Sequence, residues 1–114
     1  MAKLPDELNE TIWSLKRQLL DIADRAKAAE FIVLERFGET DRTISYLDEL
    51  QSVAEQGIER FSQFSSIQIR IANAQLNVFP DILELVNRVV VNTQERIPAL
   101  ERSIQEIKTE WRLP

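Results

Sequence analysis

Residues 6–37 read DELNETIWSLKRQLLDIADRAKAAEFIVLERF, and the apolar side chains in that stretch keep a fixed rhythm. Leu8, Ile12, Leu15, Leu19, Ile22, Ala26, Ala29 and Val33 follow one another at alternating steps of four and three. That is the 3.5-residue period of a helical seam packed against other helices. Asp6 is a candidate N-cap, or Pro5 the first helical residue. Gly38, directly after Phe37, can take the positive φ that ends a helix. The stretch predicts one helix over about 6–37.

The remaining chain continues in the same style. Thr40 or Asp41 can cap a second helix, whose stripe runs through Leu47, Leu50, Ala54, Ile58, Phe61 and Phe64. Gly57 inside that stripe costs about 1 kcal/mol against Ala, so a close contact with another helix is its expected reason. Ile67, Ile69 and Ile71 alternate like a strand, but Ile67, Ile71, Ala74 and Val78 also fit helical spacing. A lone strand has no partner here, so helix is expected through about 76. Asp81 followed by Glu84 resembles a capping box for a third helix. Its seam is Ile82, Val86, Val89 and Thr93, resumed by Ile97, Leu100, Ile104, Ile107 and Trp111. Pro98 sits at the stutter and predicts a kink or short break near 94–98. Two short connections make neighbouring helices antiparallel. The expected architecture is a single all-α domain over 1–114, an elongated up-down-up three-helix bundle of about 6–37, 41–76 and 81–111.

Composition narrows the chemistry. The 114 residues contain no Cys and no His, which removes disulfides, thiolate zinc sites, cysteine nucleophiles and the commonest general base. The net charge of −5 is uneven, with seven basic and twelve acidic side chains in residues 1–57 and seven of each in 58–114. Neither half carries the basic stripe that a nucleic-acid surface needs. No apolar run approaches the ~20 residues of a membrane span. The opening residues turn acidic where a signal peptide would be apolar, so a cytoplasmic location without membrane contact is expected. Glu7 with Glu10 and Asp21 with Asp24 could each put two carboxylates on one helix face, as magnesium-dependent nucleotide hydrolases require. The seam turns Glu10 and Asp24 away from the core, so no metal, cofactor or catalytic residue is expected and the chain is read as not an enzyme.

Two regions carry the functional expectation. Between 61 and 94 only Arg70, Asp81, Glu84 and Arg88 are charged, yet apolar residues persist. Low charge with retained apolar area marks the centre of an interface. Val89, Val90 and Val91 diverge by about 100° each, so at least one must face outward. Ile71, Val78, Phe79, Val86, Val90 and Val91 are the candidate contact residues of this hairpin. Phe31, Ile32, Val33, Leu34 and Phe37 form a second wide patch, and the bundle topology places it beside Trp111. Trp13 flanks the seam as a boundary residue or an exposed anchor. The expected function is protein binding, first of all self-association through the 61–94 hairpin. An adaptor, chaperone-like or regulatory subunit using the same surface is the alternative, and a nucleotide hydrolase using the carboxylate pairs a further one.

Overall fold

The computed structural model describes residues 4–74 and 80–114. Three helices, α1 (Asp6–Phe37), α2 (Ile44–Ala74) and α3 (Pro80–Glu110), hold nearly all of them, and no strand occurs among the described residues. Cross-helix contacts give the direction of each. Lys16 reaches Gln68 while Gly57 lies against Leu19 and Ala23, so α2 runs back along α1. Arg96 reaches Gln56 and Arg60 reaches Thr93, so α3 turns back again. Arg25 pairs with Glu101 and Phe37 stacks near Trp111, which sets α1 and α3 parallel. The bundle measures 54 × 20 × 19 Å, with a radius of gyration of 17.3 Å. A globular chain of this length would have about 13 Å. It is an up-down-up rod.

The seam of α1 is buried from Ile12 through Val33, with Leu8 packed at its edge. Each fully buried Leu or Ile contributes roughly 1.5–3 kcal/mol of transfer free energy, so this one stripe supplies much of the core. In α2 the stripe departs from expectation at Ile58, which is 51% exposed. Gly57 takes the inward position instead. A Cβ there would sit 2.9 Å from the carbonyl oxygen of Leu19, closer than side-chain carbons come to backbone. Gly57 therefore lets α1 and α2 approach until backbone nearly meets side-chain space, and Ile58 is turned outward by the next 100° of helix. The ambiguous isoleucines resolve as helix, with Ile67 and Ile71 inside and Ile69 outside.

The helix ends also refine the sequence reading. Pro5, not Asp6, occupies the N-cap of α1; its carbonyl accepts the Asn9 N–H at 2.9 Å, and Asp6 stands inside the first turn. There its carboxylate faces the positive end of the helix dipole. Gly38 has φ +73° and donates its N–H to Leu34 O, ending α1 as expected. Thr40 and Thr43 form a reciprocal cap before α2. The Thr40 Oγ1 accepts from the Thr43 N–H at 3.3 Å and the Thr43 Oγ1 accepts from the Thr40 N–H at 2.8 Å. The Thr43 hydroxyl also donates to Gly38 O at 2.7 Å, stapling the two helix ends together. This is a capping box in which a second threonine replaces the usual Glu.

Helix α3 starts at Pro80, so Asp81 lies within its first turn and not at its cap. A proline in the first helical position has no N–H to leave unsatisfied, which is why it precedes Asp81 there. Of the kink or short break expected near 94–98, the break does not occur. Pro98 lies inside an uninterrupted helix and points to solvent, where water can take the Gln94 carbonyl that Pro98 cannot serve. At the far end Leu113 N–H bonds Lys108 O and Arg112 N–H bonds Thr109 O, with Arg112 at φ 52°. That pair of bonds is a Schellman ending.

Candidate functional site

The candidate residues of the 61–94 hairpin separate into two groups. Ile71, Val86 and Val90 are buried within the chain's own core and present nothing to a partner. The physical reason is that α3 packs against both α1 and α2. Its apolar stripe is wide enough to take Val89 and Val90 together. Val91 is the outward member of the valine run, 49% exposed. Its helical neighbours Asn87, Arg88, Gln94 and Glu95 are polar and exposed, so it stands alone, as single apolar residues often do on surfaces. Val78 and Phe79 lie outside the described residues.

The second patch is assembled as expected. The Phe37 and Trp111 rings lie 4.9 Å apart at 49°, and Tyr46 meets Trp111 edge-on at 5.2 Å. The three side chains tie the end of α1, the start of α2 and the end of α3. Phe31 is not part of this clasp; it projects to solvent. The carboxylates do not converge. Asp21 pairs with Arg25 at 2.9 Å, and Arg25 goes on to Glu101 at 3.0 Å. Among the described residues no group of three or more His, Cys, Asp or Glu is placed to hold a metal ion.

A third surface emerges from the packing. Among the described residues ten large apolar side chains are exposed, and seven of them lie along the outer side of the α1–α2 pair: Trp13, Leu20, Phe31 and Leu34 on α1, and Ile44, Ile58 and Ile69 on α2. Their placement follows from helical phase. The inward arc of α1 shared with α2 includes Ala23 and Lys16; Trp13 and Leu20 fall just beyond it, on the side away from Arg25 and α3. On α2, Ile58 is similarly displaced from Gly57, away from the Arg60 and Gln56 contacts to α3. The face has a sequence signal. Trp13, Leu20 and Leu34 stand seven and fourteen residues apart, and Ile44 and Ile58 fourteen apart. This second heptad register runs beside the main one, its apolar members separated by charged residues such as Arg17 and Asp24.

Lys16 lies at the root of this face and is only 5% exposed. Its Nζ donates to Gln68 Oε1 at 2.8 Å and sits 4.4 Å from the Trp13 ring centroid and 4.7 Å from that of Phe61. Two aromatic faces and one amide oxygen thus hold the ammonium. Among the described residues no carboxylate lies at ion-pair distance from it. Burial pulls its pKa below the ordinary lysine value. The structure therefore places an uncompensated positive charge directly beneath Trp13.

Compared with protein-family models, curated proteins and solved structures, the chain matches none. Among the described residues no helix is long and apolar enough to cross a membrane.

Proposed function

We propose that this chain is a helical protein-binding module that meets its partner through the outer face of α1 and α2, without chemistry of its own. The observation that carries the reading is the exposed apolar row from Trp13 and Ile69 through Leu20 and Ile58 to Leu34 and Ile44. A row about 32 Å long on α1, on helices already supplied with an inner seam, is what a partner helix needs for packing. Small residues support it. Ala23, Ala54 and Gly57 draw α1 and α2 together, so the outer residues of both helices form one continuous surface. This replaces the 61–94 hairpin as the proposed contact surface, because Ile71, Val86 and Val90 are consumed by the internal core.

Site-specific photo-crosslinking tests the reading. A photoreactive residue at Leu20 should yield a discrete protein adduct in extracts of the native host, and Ile58→Glu should abolish it. The same probe at Val91, on the opposite surface, should yield none. Equal labelling from the two positions, or none from Leu20, would remove the α1–α2 face from consideration.

A further inference from the structure

The three helices are not held to one another equally. At Gly57 the backbone of α2 comes close to the Leu19 carbonyl of α1, and the Thr43 hydroxyl ties the end of α1 to the start of α2. Helix α3 is bordered by open clefts instead. One of about 610 Å³ separates it from α1, lined by Glu10, Ser14, Gln94 and Pro98. Two more, of about 660 and 390 Å³, separate it from α2, the first at Arg60 and Asn92 and the second at Glu49 and Glu106. A fourth, of about 440 Å³, opens beside Glu110 and Trp111 at its end. None of these four is walled by α1 and α2 alone. Side chains that face such a cleft forgo the contacts that close packing supplies.

The polar links to α3 add little to this. Arg25 meets Glu101 at 3.0 Å with both side chains open to solvent, where ion pairs contribute little. Arg60 reaches Thr93 at 3.4 Å and Tyr46 reaches Glu110 at 3.5 Å, both long for a hydrogen bond. The sequence of α3 works in the same direction. Val89, Val90, Val91, Asn92 and Thr93 are consecutive poor helix formers, four of them β-branched, and Pro98 removes a hydrogen bond from the ladder soon after. The middle of α1 carries Ala23, Ala26, Ala28 and Ala29 instead, the best helix former four times over.

We propose that α3 is a releasable element, and that the bundle opens first by parting α3 from an α1–α2 pair that stays folded. Opening uncovers the stripe from Val86 and Val90 to Ile104 and Ile107, together with the seam it covers. Exposing that much apolar surface keeps the opened state sparsely populated and drives α3 back. The outer α1–α2 face lies on the pair that stays folded, so opening leaves it in place.

Hydrogen exchange on the purified protein, resolved helix by helix, tests the proposal. Interior amides of α3 should exchange faster than those of α1 and α2, by about tenfold or more. Gly57→Ala then separates release of α3 from unfolding of the whole chain. Its strain lies between α1 and α2, which stay together when α3 leaves, so exchange in α3 should be unchanged. Amides of α1 and α2 exchange only when that pair parts, and their rates should rise about fivefold. Ile104→Val weakens the packing of one end of α3 and should speed amides throughout that helix alike, including those near Val90. Equal rates in the three helices, or a Gly57→Ala effect shared by α3, overturn the release of α3 from a folded pair. Acceleration by Ile104→Val confined to its own turn shows fraying and overturns release as a unit.

Discussion

Gly57→Ala provides a sharp test of how α1 and α2 are held together, because two effects of known sign oppose each other. At an open position inside a helix the substitution stabilises by about 1 kcal/mol, through lower backbone entropy in the unfolded chain. At Gly57 the added Cβ would stand 2.9 Å from the Leu19 carbonyl oxygen and 3.6 Å from the Ala23 Cβ. The first neighbour is backbone and cannot rotate away. Relief requires the two helices to part by a few tenths of an ångström, and that opens contacts along the whole pair. Overpacking of this kind costs typically ~1–3 kcal/mol. The net expectation is a destabilisation of about 1 kcal/mol, opposite in sign to the propensity gain. With a urea m-value near ~2 kcal/mol/M, the unfolding midpoint should fall by about 0.5 M. Gly57→Val adds two methyl groups to the same gap and should fall much further. Circular dichroism during urea titration measures both. A rise of the midpoint in Gly57→Ala would show that the helices are farther apart than the structure places them.

Two further outcomes follow from the same geometry. Lys16 has a folded-state pKa below the ordinary 10.5, so between that lowered value and 10.5 the unfolded chain binds more protons than the folded one. Stability must then rise with pH across that window. Wild type should gain on Lys16→Met as urea midpoints are followed from about pH 8 to pH 10, and a pH-independent difference between the two would contradict the burial. Pro98→Ala restores an N–H to the Gln94 carbonyl at an exposed position, and should stabilise by about 1–3 kcal/mol; a thermal melt showing no increase would mean that proline's fixed φ offsets the missing bond.

Helix α1 was legible because its seam is unbroken for eight apolar positions and its ends carry Pro5 and Gly38. Gly57 was legible for a related reason: a costly residue inside a regular stripe requires a neighbour that needs the space. Of the kink or break expected at Pro98, the break is absent because an orphaned carbonyl that can reach water does not end a helix. Nothing in the local sequence states that Gln94 faces solvent. The burial of Ile71, Val86 and Val90 was not legible, because low charge density has two causes. Around Val86 and Val90 it accompanies internal packing between three helices, whereas on the α1–α2 face the apolar row is interleaved with Arg17, Asp24 and Glu55 and is invisible to a charge count. Lys16 was hidden for the same reason. On paper it is one more charged residue beside Arg17, and only the approach of Phe61 and Gln68 from α2 shows that it is enclosed.

The two tryptophans have a consequence for spectroscopy. Trp13 lies near the start of α1, half open to water and over an ammonium group, while Trp111 is held by Phe37 at the opposite end, about 36 Å away along the helix. Tyr46, 5.2 Å from Trp111, is well placed to pass excitation energy to it and much too far from Trp13 to do the same efficiently. The protein therefore carries two tryptophans with different surroundings, one reporting the outer α1–α2 face and the other the joint between all three helices. Replacing either with Phe leaves a single emitter, so loosening at one end of the rod can be timed against loosening at the other without attaching any dye.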